Sequence, residues 1–288
     1  MKTIDYIYRF DPKNTSIKPP PLDAERAKHQ LEVGNRMFAD WMKSCQIGAI
    51  SPGEPRYVIE CTGLDFGRAS PDAEAIRQDP FAIVIGCSDA RVPIEMVFGQ
   101  GFNELFVVRV AGNVLADECW GSIDYALKEL SESVKLVVVM GHSGCGAVTA
   151  AVDAYLDPKK YSLHEMSLGV KSILRHIFVS VHRAAMGLLE VWGPDAPNSP
   201  CYRAALIESA VCLNAASAAH SVRLANDRIR HAGVRVLYGV YDLRSHHVCM
   251  PPICTHVPER DTLINLADAP NDTAEFETLA REMAVRLK

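Results

Sequence analysis

Residues 81–93 read FAIVIGCSDARVP, an apolar run followed at once by a cysteine and two charged side chains. Three similar apolar runs follow it: ELFVVRV (104–110), KLVVVM (135–140) and VRVLYGV (234–240). Their apolar residues are continuous rather than alternating, which is typical of parallel strands covered on both faces. Helical patterns occur among and after them, at about 117–133, 147–155, 163–192 and 203–232. The order of elements predicts an α/β fold, with a mainly parallel central β-sheet flanked by helices.

The first 50 residues lack this alternation of strands and helices. Residues 12–22 carry four prolines and predict an extended segment. Residues 23–44 have apolar side chains at helical spacing and predict an amphipathic helix. That helix packs either on its own core or on a second subunit. The sequence has no internal repeat, and we expect residues 1–288 to form one domain, with residues 1–50 as an N-terminal helical arm.

The composition argues against several classes of protein. The 30 basic and 35 acidic side chains give a formal charge of -5, which is unfavourable for binding nucleic acid. No run approaches the roughly 18 apolar residues of a membrane span. The N-terminal residues lack a basic start followed by an apolar core, so we expect no secretory signal. Nine cysteines without a disulfide framework then indicate thiols or metal ligands, and we expect a cytoplasmic protein.

Metal-ligating side chains follow two of the predicted strands. Cys87 comes directly after the first strand, while His142 and Cys145 follow the third in GHSGCG (141–146). Parallel strands end at a common edge of the sheet, where functional groups gather. Two thiolates and one imidazole suit Zn²⁺, and three protein ligands leave a fourth position for water or substrate. The pattern therefore predicts a catalytic zinc site, although zinc that only stabilises the fold is an alternative.

Asp89 and Arg91 lie next to the first of these ligands. An arginine can hold a carboxylate through two parallel hydrogen bonds. We predict that Arg91 keeps Asp89 ionised and oriented, so that Asp89 accepts the hydrogen of a zinc-bound hydroxide. The alternative is a surface ion pair of little energetic consequence.

Four ordered motifs resemble the β-class carbonic anhydrases: CSDARVP (87–93), VVRVAGN (107–113), GSIDYAL (121–127) and GHSGCGAV (141–148). The resemblance covers roughly residues 25–155 and the last strand. It implies one Zn²⁺ per subunit, held by Cys87, His142 and Cys145, with Asp89 and Arg91 as the catalytic pair. It also implies reversible hydration of CO2 to bicarbonate and a proton, and homodimers or larger oligomers formed through the N-terminal arm.

The resemblance extends to a plant-type substrate pocket. It implies that Gln78 binds bicarbonate through its amide, that Phe106 and Tyr125 are pocket aromatics, and that Gly146 offers a backbone N–H. Where some plant members carry a histidine four residues after this tyrosine, the chain has Glu129. The resemblance therefore assigns no residue to proton transfer.

Two other enzyme functions are compatible with parts of the sequence. Relatives of this fold that hydrolyse carbonyl sulfide or carbon disulfide would use the same metal motifs. GHSGC (141–145) also resembles the G-x-S-x-G turn of serine hydrolases, with Ser143 as nucleophile. Against the second function, Cys145 stands where that turn needs a glycine, and no HGGG-type segment is present.

Overall fold

The computed structural model describes residues 5–10, 19–46, 57–61, 77–159, 166–229, 233–250 and 266–288. The strands are β1 (Tyr6–Phe10), β2 (Tyr57–Cys61), β3 (Ala82–Gly86), β4 (Leu105–Arg109), β5 (Leu136–His142), β6 (Arg235–Tyr241), β7 (Val248–Cys249) and β8 (Ala267–Asp268). The helices are α1 (Ala24–Gln46), α2 (Ile94–Val97), α3 (Asp117–Glu129), α4 (Gly146–Leu156), α5 (Leu168–Trp192), α6 (Tyr202–Ile229) and α7 (Thr273–Leu287).

The central sheet is mainly parallel, as the apolar runs predicted. Its order is β4-β3-β5-β6-β7, and β8 also pairs with β6. Strands β4, β3, β5 and β6 are parallel to one another, whereas β7 and β8 run antiparallel to β6. Every residue of β3 and β5 is buried, which explains their continuous hydrophobicity. Because Gly86 pairs with Met140, the residues that follow β3 lie beside the last two residues of β5, Gly141 and His142.

Helices cover both faces of this sheet. Ile83 and Ile85 of β3 point into a core shared with α3 to α7, while Val84 points into a second core shared with α1. This division follows from the alternation of side chains along a strand. Both faces are therefore dry, and polar chemistry is confined to the ends of the strands.

Helix α1 is the predicted N-terminal helix, and it packs on its own chain. Leu31 is 0% exposed and Phe38 is 2% exposed, both within the second core. The helix approaches the turn after α2 so closely that a Cβ on Gly34 would lie 1.8 Å from the Phe98 carbonyl oxygen. A contact between this arm and another subunit stays a prediction.

The sequence did not predict several elements, namely β1, β2, α7 and the short α2, β7 and β8. β1 and β2 form a separate two-stranded parallel sheet between segments about 50 residues apart in the chain. α7 begins at a capping side chain, since Asp272 accepts from the Glu275 N–H. The spacing of that aspartate and glutamate resembles a capping box and was an available signal. β5 also runs two residues further than predicted, so that His142 belongs to the strand itself.

Some predicted segments fall outside the described residues. These are most of the proline-rich segment (12–18), the start of the helix predicted at 163–192 (163–165) and the end of the helix predicted at 203–232 (230–232). In the part of the chain that is described, no helix combines the length and the hydropathy that a membrane crossing requires.

An ion pair between α4 and α6 makes stability depend on pH. Arg203 donates to both carboxylate oxygens of Asp153 at 2.6 and 2.8 Å, and this lowers the pKa of Asp153. Because the folded pKa is the lower one, this contribution is present above the ordinary value of about 3.9 and is lost as pH falls. We expect Arg203→Met to cost about 0.5 kcal/mol at neutral pH, since the pair is partly exposed.

The variant should also lose less of its free energy of unfolding than wild type between about pH 5 and pH 3. Urea unfolding across this range measures the difference. Arg281→Met is the matched control, because Arg281 forms only a one-atom 3.3 Å ion pair with Glu190 on the surface, beside a hydrogen bond to Thr278 Oγ1. Parallel pH curves for wild type and Arg203→Met would contradict the assignment.

Candidate metal centre

Three metal-ligating side chains meet at the carboxyl edge of the sheet. Cys87 follows β3, His142 ends β5, and Cys145 is the N-cap residue of α4. Their ligand atoms all lie within 4.8 Å of one another, and the residues are 5%, 0% and 1% exposed. The pairing of β3 with β5 brings the two loops together, as the sequence predicted.

The ring of His142 is oriented for a metal. Its Nδ1 lies 3.1 Å from the Ser143 carbonyl oxygen, which can accept a hydrogen bond from it. That bond assigns the proton to Nδ1 and leaves a lone pair on Nε2. Nε2 is buried and has no hydrogen-bond partner among the described residues. Leaving a buried polar atom unpaired is costly, and a cation would satisfy it.

The two thiols lie with their Sγ atoms 4.0 Å apart. The pKa of Cys87 is lowered to about 4, first by the hydrogen bond with Cys145 and also by its contacts with His142 and the Gly112 N–H, against the effect of burial. The same bond and burial raise the pKa of Cys145. Zinc binds cysteine as the thiolate, so a bound cation would displace any proton that these sulfurs hold.

This donor set fits zinc. Bonds of about 2.0–2.3 Å in a tetrahedral geometry separate the donor atoms by roughly 3.5–4 Å. The Sγ–Sγ distance of 4.0 Å agrees with that spacing. Three ligands from one chain leave one tetrahedral position open, which is the arrangement of catalytic rather than closed structural sites.

Asp89 and Arg91 form a bidentate pair at the edge of the centre. Arg91 Nε donates to Asp89 Oδ1 at 3.0 Å, and its NH2 group donates to Oδ2 at 2.7 Å. The Arg91 guanidinium therefore holds the pKa of this carboxyl well below its usual range. Asp89 Oδ2 lies 3.9 Å from Nε2 of His142. The carboxylate is thus ionised, fixed in orientation and close to the ligand atoms.

The residues predicted for the substrate pocket are not all brought together within one chain. Gln78 precedes β3 and lines a surface cavity with Asn103 and Ser133, which precede β4 and β5. This is the amino edge of the sheet, whereas Cys87 lies at the carboxyl edge. The five-residue β3 alone spans about 16 Å. Gln78 and Cys87 of the same chain are therefore at opposite ends of the strand.

The other three pocket residues lie in two places: Phe106 is opposite Ile83 in the sheet and contacts Tyr125, whereas Gly146 follows Cys145. Phe106 of β4 and Tyr125 of α3 have ring centroids 6.4 Å apart, and Tyr125 is 48% exposed. β4 pairs only with β3 among the described strands, so this aromatic pair flanks the outer edge of the sheet. Gly146 is exposed at the start of α4, directly after Cys145.

Ser143 has a structural environment. Its Oγ donates to Asp242 Oδ1 at 3.2 Å and accepts from the Leu243 N–H at 2.9 Å. In the neighbouring His142, Nδ1 faces the Ser143 carbonyl oxygen, and the ring forms a cluster with the thiols of Cys87 and Cys145. No described histidine acts as its base, and the serine hydrolase alternative is not favoured.

Two charged residues that the sequence did not single out hold the ligand loops. Arg109, at the end of β4, donates to the backbone oxygens of Cys87 and Asp89 at 3.3 and 2.9 Å. Glu208 of α6 accepts from the Gly144 N–H at 3.2 Å, between the second and third ligands. Burial raises the pKa of Glu208. Arg109 falls within a quoted motif, but nothing local to Glu208 indicated its position.

The fold and the site together define an α/β protein with a buried Cys-His-Cys group, able to hold a metal ion, at the carboxyl edge of its sheet. A family model described as carbonic anhydrase matches residues 82–248, more than half of the chain. The chain therefore belongs to the carbonic anhydrase family. The matched region contains Cys87, His142, Cys145, Asp89 and Arg91, and the family resemblance drawn from the four motifs is confirmed.

Individual relatives match shorter stretches. Carbonic anhydrase 2 of Mycobacterium tuberculosis is 48% identical over 83 residues, which are 29% of this chain and 39% of that protein. The carbonic anhydrase of Mycolicibacterium smegmatis is 49% identical over 77 residues, 27% of this chain and 36% of that protein. The chain thus spans about two fifths of the length of these curated relatives.

Among solved structures, a tetrameric β-carbonic anhydrase of Sordaria macrospora is similar with a TM-score of 0.46 and 23% identity. That likeness covers 80% of this chain and 99% of the other. The β-carbonic anhydrase CafA of Aspergillus fumigatus has a TM-score of 0.43 and 23% identity, covering 72% and 84% of the two chains.

Proposed function

We propose that this chain catalyses the reversible hydration of CO2 to bicarbonate and a proton, with Zn²⁺ held by Cys87, His142 and Cys145. The observation that carries the proposal is the buried ligand cluster beside an arginine-fixed carboxylate, within the part of the chain that matches the family. Bound there, zinc would lower the pKa of a coordinated water to near 7 and make a nucleophile available at neutral pH.

Asp89 orients the reactants in this proposal. An ionised carboxylate can only accept hydrogen bonds, so Asp89 Oδ2 would accept one from the O–H group of the reacting water. This contact would orient a lone pair of the water oxygen towards CO2. Arg91 occupies both carboxylate oxygens and keeps the side chain in place. The Gly146 N–H, at the positive end of α4, favours the developing negative charge on the product oxygens.

The remaining pocket residues act across a homodimer in this proposal. Gln78 of one chain is separated from its own Cys87 by the length of β3, so it would serve the centre of a second copy. Two observations support such a contact: the outer edge of β4 lacks a strand partner among the described residues, and apolar side chains nearby are exposed. Phe102 is 55% exposed and Tyr125 is 48% exposed. The N-terminal arm of residues 1–50 would extend this contact.

A reducing, cytoplasmic location fits the same proposal. None of the eight described cysteines forms a disulfide, and two of them must be thiolates to bind zinc. Oxidation of the 4.0 Å thiol pair would remove two of the three ligands.

Stopped-flow CO2 hydration by the zinc-loaded protein tests the proposal, with carbonyl sulfide as a second substrate. We expect CO2 hydration well above the buffer rate between about pH 7 and pH 9, because the relevant pKa is near 7. A zinc-loaded protein that leaves CO2 unchanged would exclude the function. Faster turnover of carbonyl sulfide would assign the hydrolase alternative instead.

Asp89→Asn should reduce CO2 hydration by about 100-fold or more, since the amide cannot select the same hydrogen and loses its ionic pair with Arg91. Zinc affinity should change far less, because the carboxylate lies outside the ligand cluster. Activity and metal content are measured on the same preparation. Asp227→Asn, on an exposed part of α6, is the matched control. A variant with wild-type turnover would remove Asp89 from the mechanism.

A further inference from the structure

A buried amide on α6 reaches towards the metal centre through one intervening residue. Asn214 is 5% exposed, and its Nδ2 donates to the Gly112 carbonyl oxygen at 2.8 Å. Gly112 in turn donates its N–H to Cys87 Sγ at 3.3 Å. The same residue thus accepts from the helix and donates to a metal-ligating sulfur, so the position of the amide controls the second bond.

Gly112 is confined from several sides. Its φ of +66° lies in the left-handed region, which other residues adopt at a cost. A Cβ at this position would lie 3.0 Å from Ile177 Cδ1 of α5 and 3.1 Å from Ala147 Cβ of α4. Helices α4 and α5 therefore limit where Gly112 can move, and the hydrogen bond from Asn214 sets its orientation within that space.

A hydrogen bond to a ligating thiolate changes what the thiolate does. The N–H takes up part of the negative charge on sulfur, and the sulfur then donates less charge to its metal. This effect is important in a site with two thiolates, because their charge opposes the Lewis acidity on which hydration depends. Neighbouring groups that orient ligands typically change metal affinity by about 10–100-fold.

We infer that Asn214 is a positioning residue of the metal centre: it aligns the Gly112 N–H on Cys87 Sγ and so sets the electron donation and affinity of that ligand. This inference rests on the proposed zinc site. It concerns a residue 127 positions from Cys87 in the chain, on a helix that supplies no ligand.

The chain provides a matched control for a purely structural role. Asn226 lies on the same helix, is also 5% exposed, and also donates from Nδ2 to a backbone oxygen, that of Val234 at 3.2 Å. Asn214→Leu and Asn226→Leu each remove one buried amide donor and leave a carbonyl unpaired. Both variants should lose stability, and Asn226→Leu should lose less because it also removes a buried Oδ1 that has no partner; the shift of the urea midpoint measures each loss.

The experiment uses the full chain loaded with Co²⁺ or Zn²⁺. We expect Asn214→Leu to shift the thiolate-to-cobalt charge-transfer absorption and to weaken Zn²⁺ binding about tenfold in chelator competition. Asn226→Leu should keep the wild-type spectrum and an affinity within about twofold. If Asn214→Leu does not fold, Asn214→Ser, whose side chain is too short to reach Gly112, is measured instead.

The possible outcomes are distinct. An unchanged spectrum and affinity in the Asn214 variants would overturn the inference, and so would equal changes in Asn226→Leu. A wild-type protein without a thiolate–cobalt band would overturn the proposed metal site, and the inference with it. A band that is present in wild type and shifts only in the Asn214 variants would support both.

Discussion

Cys145→Ala is expected to remove zinc binding and CO2 hydration together. The side chain is 1% exposed, and its Sγ lies 4.0 Å from that of Cys87. With alanine at this position only Cys87 and His142 remain as ligands. The buried lone pair on His142 Nε2 then has no metal to bind. Because the loss of outer-shell partners alone costs up to about 100-fold in affinity, the loss of a direct ligand should cost more than that. Metal content after dialysis against a chelator, and stopped-flow hydration on the same sample, measure the two effects.

Cys212→Ala is the control for this substitution. Cys212 is a fully buried thiol of α6 that contacts Met250 rather than the metal centre. Its loss should destabilise the protein modestly and leave one zinc per chain. Retention of stoichiometric zinc by Cys145→Ala, with measurable hydration, would contradict both the ligand assignment and the proposed function.

The second large effect is expected at Gly34, where alanine should destabilise the protein by about 3 kcal/mol or more. In an exposed helix interior this change normally stabilises by up to about 1 kcal/mol. Here the added Cβ would lie 1.8 Å from the Phe98 carbonyl oxygen and 2.6 Å from its carbon. Both are backbone atoms, so α1 has to move away from α2 and expose Leu31 and Phe38. Urea unfolding measures the change in the free energy of unfolding.

Gly121→Ala provides the comparison within the same protein. Gly121 is an exposed helical residue of α3, and a Cβ there meets no atom within 4 Å. We expect a gain of about 0.5–1 kcal/mol, opposite in sign to the effect at Gly34. Equal effects at the two glycines would show that α1 does not pack as closely as described.

The sheet was predictable because its signals are local. Continuous apolar runs predicted β3, β4, β5 and β6 to within two residues at each end, since parallel strands buried on both faces have no polar side to alternate with. The rule that parallel strands end at one edge also predicted that Cys87 and His142 would meet. β1 and β2 were missed, because a short parallel pair about 50 residues apart in the chain has no turn signal to reveal it.

The sequence by itself determined which loops carry the thiols and the imidazole. It also determined which carboxylate and which arginine accompany them. These follow from residue type and from position at strand ends. Only the tertiary structure decided that Gln78 and Cys87 lie at opposite edges of the sheet, and that Arg109 and Glu208 hold the ligand loops. The same is true of Asn214, which holds Gly112 beside Cys87.

The reason is physical. A ligand motif is a short segment whose chemistry and turn geometry are encoded together, whereas its supports come from residues brought close by the packing of α4, α5 and α6 on the sheet. Asn214 and Glu208 have the same local signals as any polar residue of a long helix. Their role depends on which face of α6 the apolar core holds against Gly112 and Gly144, and that is settled only when the whole core has packed.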